Sequence, residues 1–303
     1  MFSLSRIAVI ARSTFTQLVR MKVFWFLAPL ALLFLGLQQF DTFWYAGPEV
    51  SQPQQELQMH KNLCLGTMML FSSLFAIVST ALLIPRDIED RTLYTILCKP
   101  VPRLDYLIGK LLGVIIVIGI ALLAMDILMV ITLHFRTEGV VEQIKPFYEN
   151  LRLSEELQQQ KIADIRSHGP SWLLQGAVLA HFFKAAVIAS VALLISTFST
   201  STIFTIASSV LVWIIGALQG VARDAFAADN SALGESPSLV AKILGTLLSL
   251  VFPDFQIFEA VADAAARTDA VLMADFMKLT GFTVFYLGIY TVLSWFVFSD
   301  KEF

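Results

Sequence analysis

Long apolar runs, rather than short alternating ones, set the pattern of this chain. Residues 21–40, 63–84, 107–133, 172–198, 202–218 and 279–298 each approach or exceed the ~20 apolar residues that a helix needs to cross a hydrocarbon core of ~30 Å. The pattern therefore predicts six membrane-spanning helices. A further run, 239–252, is short and ends at Pro253, a length that fits a re-entrant or interfacial segment on the outer face better than a crossing. Ahead of the first span, Leu4, Ile7, Ala8, Ala11, Phe15 and Leu18 recur at helical spacing, with Arg6, Arg12, Ser13 and Arg20 off the stripe. That spacing predicts an interfacial helix over 1–22.

Composition agrees with this reading and narrows it. Of 303 residues, 57% are hydrophobic and 15% charged, against roughly 25% charged in soluble domains. The mean hydropathy of +0.74 comes from several runs, not one anchor. The fold class is thus an all-α polytopic membrane protein, a single transmembrane domain over 1–303. A net charge of −3 leaves no basic surface for nucleic acid, and four His and two Cys leave little for a metal cage, so neither nucleic-acid binding nor a metal or organic cofactor is expected. Cys64, at the outer end of the second span, and Cys98, in the following loop, fall on opposite sides of the membrane and cannot pair.

Charge also orients the chain. The first 22 residues carry Arg6, Arg12, Arg20, Lys22 and no acid, whereas residues 41–61 carry one Lys and three acids. The positive-inside rule then puts both termini in the cytoplasm of a cell (inner) membrane protein. Segments 135–171 and 221–278 fall outside, and the loop 86–105 falls inside. The segment 136–170 is polar but patterned, with Leu151, Leu153, Leu157, Ile162 and Ile165, and is expected to be mostly helical. Trp25, Trp44, Trp172 and Trp295 fall near span ends and read as interfacial anchors.

The loop after the second span is the most specific string, PRDIEDRTLYTILCKPVPRLDYLIGKLLG over 85–113. Pro85 is expected to end the span. The next dozen residues fit a short helix with Leu93, Ile96 and Leu97 on one face and Asp87, Arg91 and Tyr94 on the other, stopped by Pro100 and Pro102. Alone, such a loop also reads as a solvated connector.

This string resembles the signature of the exporter-type (type-2) ABC transporter permeases, in which an acid, a Thr-Leu pair, an apolar stretch, Lys-Pro, an Arg and Gly-Lys open the third span. The matching residues are Glu89, Thr92, Leu93, Lys99, Pro100, Arg103, Gly109 and Lys110. Many members carry Gly before the Thr where this chain has Arg91. Weaker likeness extends to the basic start, the turn at 196–202, the FPDFQIF string at 252–258 and the charged tail at 300–302, and within the family it is greatest to permeases linked to multicopper enzyme maturation.

The resemblance implies that Arg86, Asp87, Glu89, Asp90, Arg91, Thr92, Leu93, Leu97, Lys99, Pro100 and Arg103 form a coupling helix against a separate ABC ATPase subunit. It also implies a second permease copy, most simply a homodimer in the bilayer. It places subunit contacts on the fifth and first spans and outer-gate re-entrant helices in 221–278. The chain contains no G-x-x-x-x-G-K-[ST] string, since Gly109-Lys110 is followed by leucines; ATP is expected to be bound and hydrolysed by the partner, and this chain is not itself an enzyme.

Ionisable residues inside spans are functional candidates because each costs at least ~2.5 kcal/mol at the bilayer centre. Asp126, His181 and Lys184 qualify, and their depths allow an Asp126–Lys184 ion pair with His181 beside it. A pair that only satisfies itself between packed helices is the plainer reading. The set also supplies the alternative of an ATP-independent secondary transporter, although no internal repeat accompanies it. A scaffold that binds an ATPase without moving solute is a further alternative. An intramembrane hydrolase would need a nucleophile and base or metal ligands at membrane depth; His181 is the only good His candidate there, and neither G-x-S-G nor H-E-x-x-H occurs. Gly109 and Gly113, like Gly216 and Gly220, have the small-residue spacing of close helix packing, within one subunit by default.

Overall fold

The computed structural model describes residues 4–38, 53–89, 102–151, 154–199, 201–227, 252–267 and 273–299. Among these, every regular element is a helix: α1 (Leu4–Val19), α2 (Lys22–Leu37), α3 (Pro53–Ala81), α4 (Leu83–Glu89), α5 (Arg103–Asn150), α6 (Glu155–Ser167), α7 (Trp172–Phe198), α8 (Thr202–Ala227), α9 (Gln256–Ala266) and α10 (Met273–Ser299). Five spans, among them α3 with α4 and α6 with α7, are long and apolar enough to cross a membrane; the pair α1–α2, bent by 70°, makes up to six. The chain is an all-α, multi-pass membrane protein.

The bend falls where the pattern changes. Through Leu18 the apolar residues, Val9 apart, keep to one side; from Val23 they run all round the helix. α1 buries Ile7, Ala11, Thr14 and Leu18, but Leu4 is 81% exposed and Ala8 is exposed as well. The buried stripe is thus rotated from the predicted one toward Thr14, whose hydroxyl bonds back to the Ile10 carbonyl at 2.9 Å and lets the residue pack like a small apolar one.

The glycines of α5 explain the rotation. A Cβ on Gly109 would lie 2.7 Å from Ile10 Cβ, and one on Gly113 would lie 2.6 Å from Thr14 Cβ and 2.9 Å from the Ala11 carbonyl oxygen. The G-x-x-x-G stripe is therefore the groove that receives α1.

Two boundaries differ from expectation. Pro85 does not end the second span: the break lies at Leu82, and Pro85 sits in the first turn of α4, where its missing N–H breaks no helical bond. The third span does not stop near 133, because α5 runs for 48 residues, about 72 Å at 1.5 Å per residue, and projects well beyond a ~30 Å core. The expected helical insertion is thus the continuation of α5 followed by α6, folded back along it.

That projection is held by polar ties. Arg136 pairs with Glu56 at 2.5 Å, Gln54 donates to Asp164 at 2.5 Å, and Arg166 pairs with Glu138 at 3.0 Å. The hydrogen bond from Arg166 holds the Glu138 carboxyl below the usual carboxylate range.

α7 is the central helix: 72% of its most apolar stretch is buried, against 17% for α8. Its small residues Ala177, Ala180, Ala185, Ala189 and Ala192, each fully enclosed, let α3, α5, α9 and α10 approach closely. α2 leans on α3 through the Phe24–Phe75 and Phe34–Phe71 ring pairs, both 5.7 Å between centroids. Trp25, Trp172 and Trp295 are exposed on span ends, as anchors would be; Trp44, Cys98 and nearly all of the 239–252 run lie outside the described residues.

Candidate functional site

The loop that carries the family-like string has both its roots in the structure. Arg86 and Asp87 lie in α4, which ends at Glu89, and Arg103 opens α5; Asp90, Arg91, Thr92, Leu93, Leu97, Lys99 and Pro100 lie outside the described residues. Arg86 is exposed. Asp87, expected on a polar face turned toward a partner, is instead 4% exposed and belongs to an internal ion pair.

Residues one helical turn apart build that pair. Tyr106 and Lys110 stand on the same face of α5 and both reach Asp87 Oδ2: Lys110 Nζ at 2.6 Å and the Tyr106 hydroxyl, which donates at 2.5 Å. Gln17 of α1 completes the ring. Its Nε2 donates to Asp87 Oδ1 at 3.3 Å, and its Oε1 accepts from Lys110 Nζ at 3.1 Å. A carboxylate with three donors and an ammonium with two acceptors are well satisfied, which is what lets both stay 5% exposed.

The last span joins the same cluster. The Tyr106 ring stacks on Phe298 at 5.9 Å, and Arg103 Nη1 donates to the carbonyls of Phe298 at 2.8 Å and Ser299 at 2.5 Å. A cation on the final carbonyls of α10 complements both their unmet acceptors and the helix dipole. Thus α1, α4, the start of α5 and the end of α10 meet in one knot at the roots of the loop. Asp105, in the first turn of α5, is 1% exposed and both its oxygens lack a hydrogen-bond partner among the described residues.

Gln17 and Tyr106 are functional candidates that the sequence reading missed, and Lys110 was noted only as part of a motif. The available signal was the Tyr106-to-Lys110 spacing at the mouth of a span, where a lysine facing a helix bundle needs an acid.

The intramembrane set is not brought together as expected. Lys184, 1% exposed, pairs with Glu259 of α9 at 2.5 Å and stands 5.7 Å over the Phe255 ring, while Asp126 accepts a hydrogen bond from Gln175 at 3.1 Å. The Asp126–Lys184 pair is therefore replaced by two separate partnerships. The reason is that α9 folds against α7 and brings a nearer carboxylate. His181 is 4% exposed with neither ring nitrogen bonded among the described residues.

α9 is fastened on a second side. The Phe255 N–H donates to the Gly216 carbonyl at 3.2 Å, and a Cβ on Gly216 would lie 2.5 Å from the Phe255 ring. This second glycine position thus also serves packing within the chain.

Glu259→Gln should loosen α9, because it leaves Lys184 buried without a charge partner. The expected cost is less than the roughly 3 to 5 kcal/mol of a fully buried pair, since the Glu259 side chain is 36% exposed. Hydrogen exchange over 256–266 should rise, and Lys184→Met combined with Glu259→Met should restore much of the protection. Unchanged exchange in the single variant would show that the pair does not hold α9.

Asp87, Lys110 and Arg103 thus tie the loop roots rigidly to the spans, and the loop string itself resembles that of exporter permeases. No curated protein matches the chain. The sequence pattern that defines the ABC-2 family transporter protein, however, matches residues 8–303, nearly the whole chain, and the protein belongs to that family.

Proposed function

We propose that this chain is the membrane permease of an ATP-driven exporter, in which ATP is hydrolysed on a separate ABC ATPase subunit and the 86–105 loop receives the resulting force. The observation that carries this reading is the knot of Asp87, Lys110, Tyr106, Gln17 and Arg103 at the roots of that loop. A flexible connector would dissipate a push. A loop whose two ends are joined by a buried ion pair, and joined also to α1 and α10, passes it to several spans at once.

The direction of the force follows from charge. Arg6, Arg12, Arg20 and Lys22, with no acid among them, put the α1 end in the cytoplasm together with the loop, where an ATPase has its nucleotide. On the opposite side α9 closes over α7 through Lys184–Glu259 and against α8 through Gly216. Tilting of the spans by the loop strains these two fastenings, so that opening toward one side and closing toward the other are alternatives of one packed bundle. α8 exposes Ile203, Phe204, Leu211, Ile214 and Leu218, and this apolar face is where the proposal seats a second copy. The chain contributes no phosphate-binding loop, so its own part is binding the ATPase, transmitting its motion and lining the path.

The loop assignment is tested by Arg91→Glu combined with Leu93→Asp. The double variant should keep its helical content and lose co-purifying ATPase by ten-fold or more. Retention of the ATPase at the normal ratio would overturn the assignment of residues 86–105 as the coupling element.

A further inference from the structure

We propose that α1 carries a binding site for anionic phospholipid headgroups of the leaflet at its end of the bundle, formed by Arg12 and Arg20 with Lys22 at the bend. The helix has three sectors. Ile7, Ala11, Thr14 and Leu18 are buried, the middle of this stripe lying in the groove of Gly109 and Gly113. At 100° per residue, Leu4, Ala8, Phe15 and Val19 form a flank beside that stripe, with Leu4 81% exposed. Beyond the flank come Arg12, Thr16 and Arg20 at intervals of four, all exposed, with Ser5 and Ser13 about them and Val9, 66% exposed, as the one apolar residue among them.

This order is that of a helix lying in an interface: one side on protein, the next toward acyl chains, the third toward headgroups. Two further features place it there. The 70° bend between α1 and α2 lays α1 close to the membrane plane when α2 crosses. Trp25, 67% exposed one turn beyond the bend, is the residue type that settles at headgroup depth, so Arg20 and Lys22 stand at that level.

Charge selects the occupant. Arg12, Arg20 and Lys22 make no ion pair among the described residues, and no acid occurs in the first 22 positions. Zwitterionic headgroups offer such a face a phosphate already neutralised within the same molecule; phosphatidylglycerol offers a net anion. The inference does not depend on ATP-driven transport. It would nevertheless bear on it, because Gln17, on the same helix, holds Asp87 and Lys110, so a lipid that pins α1 also pins the knot at the loop roots.

The test is native mass spectrometry of the full chain released from micelles doped with equal phosphatidylglycerol and phosphatidylcholine. Wild type should retain the anionic lipid in preference by about ten-fold, and Arg12→Gln with Arg20→Gln should reduce that preference to near parity. Arg12→Lys with Arg20→Lys should keep it, since net charge is what is read. Wild-type preference should also disappear in about 1 M salt, where the Debye length is about 3 Å, a readout that needs no variant. Parity in wild type, as expected if an acidic protein surface is the real occupant, would overturn the proposal. So would a preference that survives both salt and the Gln substitutions.

Discussion

Lys110→Met should destabilise the protein by roughly 3 to 5 kcal/mol, the largest loss expected from any single change, because it takes the ammonium away from the Asp87 carboxylate in a site that is 4% exposed. The Tyr106 hydroxyl and the Gln17 amide would remain as donors, but neither carries charge. The cluster relieves the strain by opening to water, which weakens the join between α4, α5 and α1. The loss is read as a shift in the midpoint of denaturant unfolding in detergent. Asp87→Asn combined with Lys110→Met should recover most of it, since two neutral groups of similar size leave no unpaired charge. A single variant within about 0.5 kcal/mol of wild type would show that the pair is not a structural tie.

The second large effect is a change of sign between two glycines. Gly281 has nothing within 4 Å of the position of an added Cβ, so Gly281→Ala should stabilise α10 modestly, by up to ~1 kcal/mol of helix propensity. At Gly113 the same substitution puts a methyl 2.6 Å from Thr14 Cβ and 2.9 Å from the Ala11 carbonyl oxygen. The carbonyl belongs to the backbone of α1 and cannot swing aside, so the whole helix must retreat. Gly113→Ala should therefore cost about 1 to 3 kcal/mol despite the better propensity, and Gly113→Leu more. Hydrogen exchange over residues 4–19 should rise in the Gly113 variants and stay unchanged in Gly281→Ala. Equal behaviour at the two positions would contradict the seating of α1 in the α5 groove.

These features differ in how far they could be read from the sequence. The spans were legible because a crossing helix must be apolar over ~20 residues, a signal that survives any packing arrangement. The far end of α5 was not, because a helix that leaves the membrane keeps its backbone pattern while its side chains turn polar; the run of apolar residues ended near 133, but the helix did not. Pro85 misled for a local reason. Proline stops a helix it interrupts, yet it begins one comfortably, and the break had already come at Leu82.

Pairings were the least legible. Asp126 and Lys184 were matched by depth, but Lys184 took Glu259, a residue 75 positions away on α9 that no helical period connects to α7. Asp87 was visible as a charge in a loop and Lys110 as part of a motif, and only the fold of α4 against α5 shows that they belong together. The buried stripe of α1 was read in part: Ile7, Ala11 and Leu18 are buried, but Leu4 and Ala8 are exposed. The stripe turns toward Thr14, a polar residue that satisfies its hydroxyl on its own helix and so packs as if it were apolar.

The account as a whole turns on the proposal that a second polypeptide supplies the ATP chemistry. The most direct measurement is purification of the tagged chain from its native cells in mild detergent, with quantitative mass spectrometry of what accompanies it. An ATPase subunit containing a phosphate-binding loop, present in one copy per permease, is the predicted result. Its reproducible absence under conditions that leave the permease folded would contradict the account and turn attention to Asp126, His181 and Lys184 as parts of a transporter that runs without ATP.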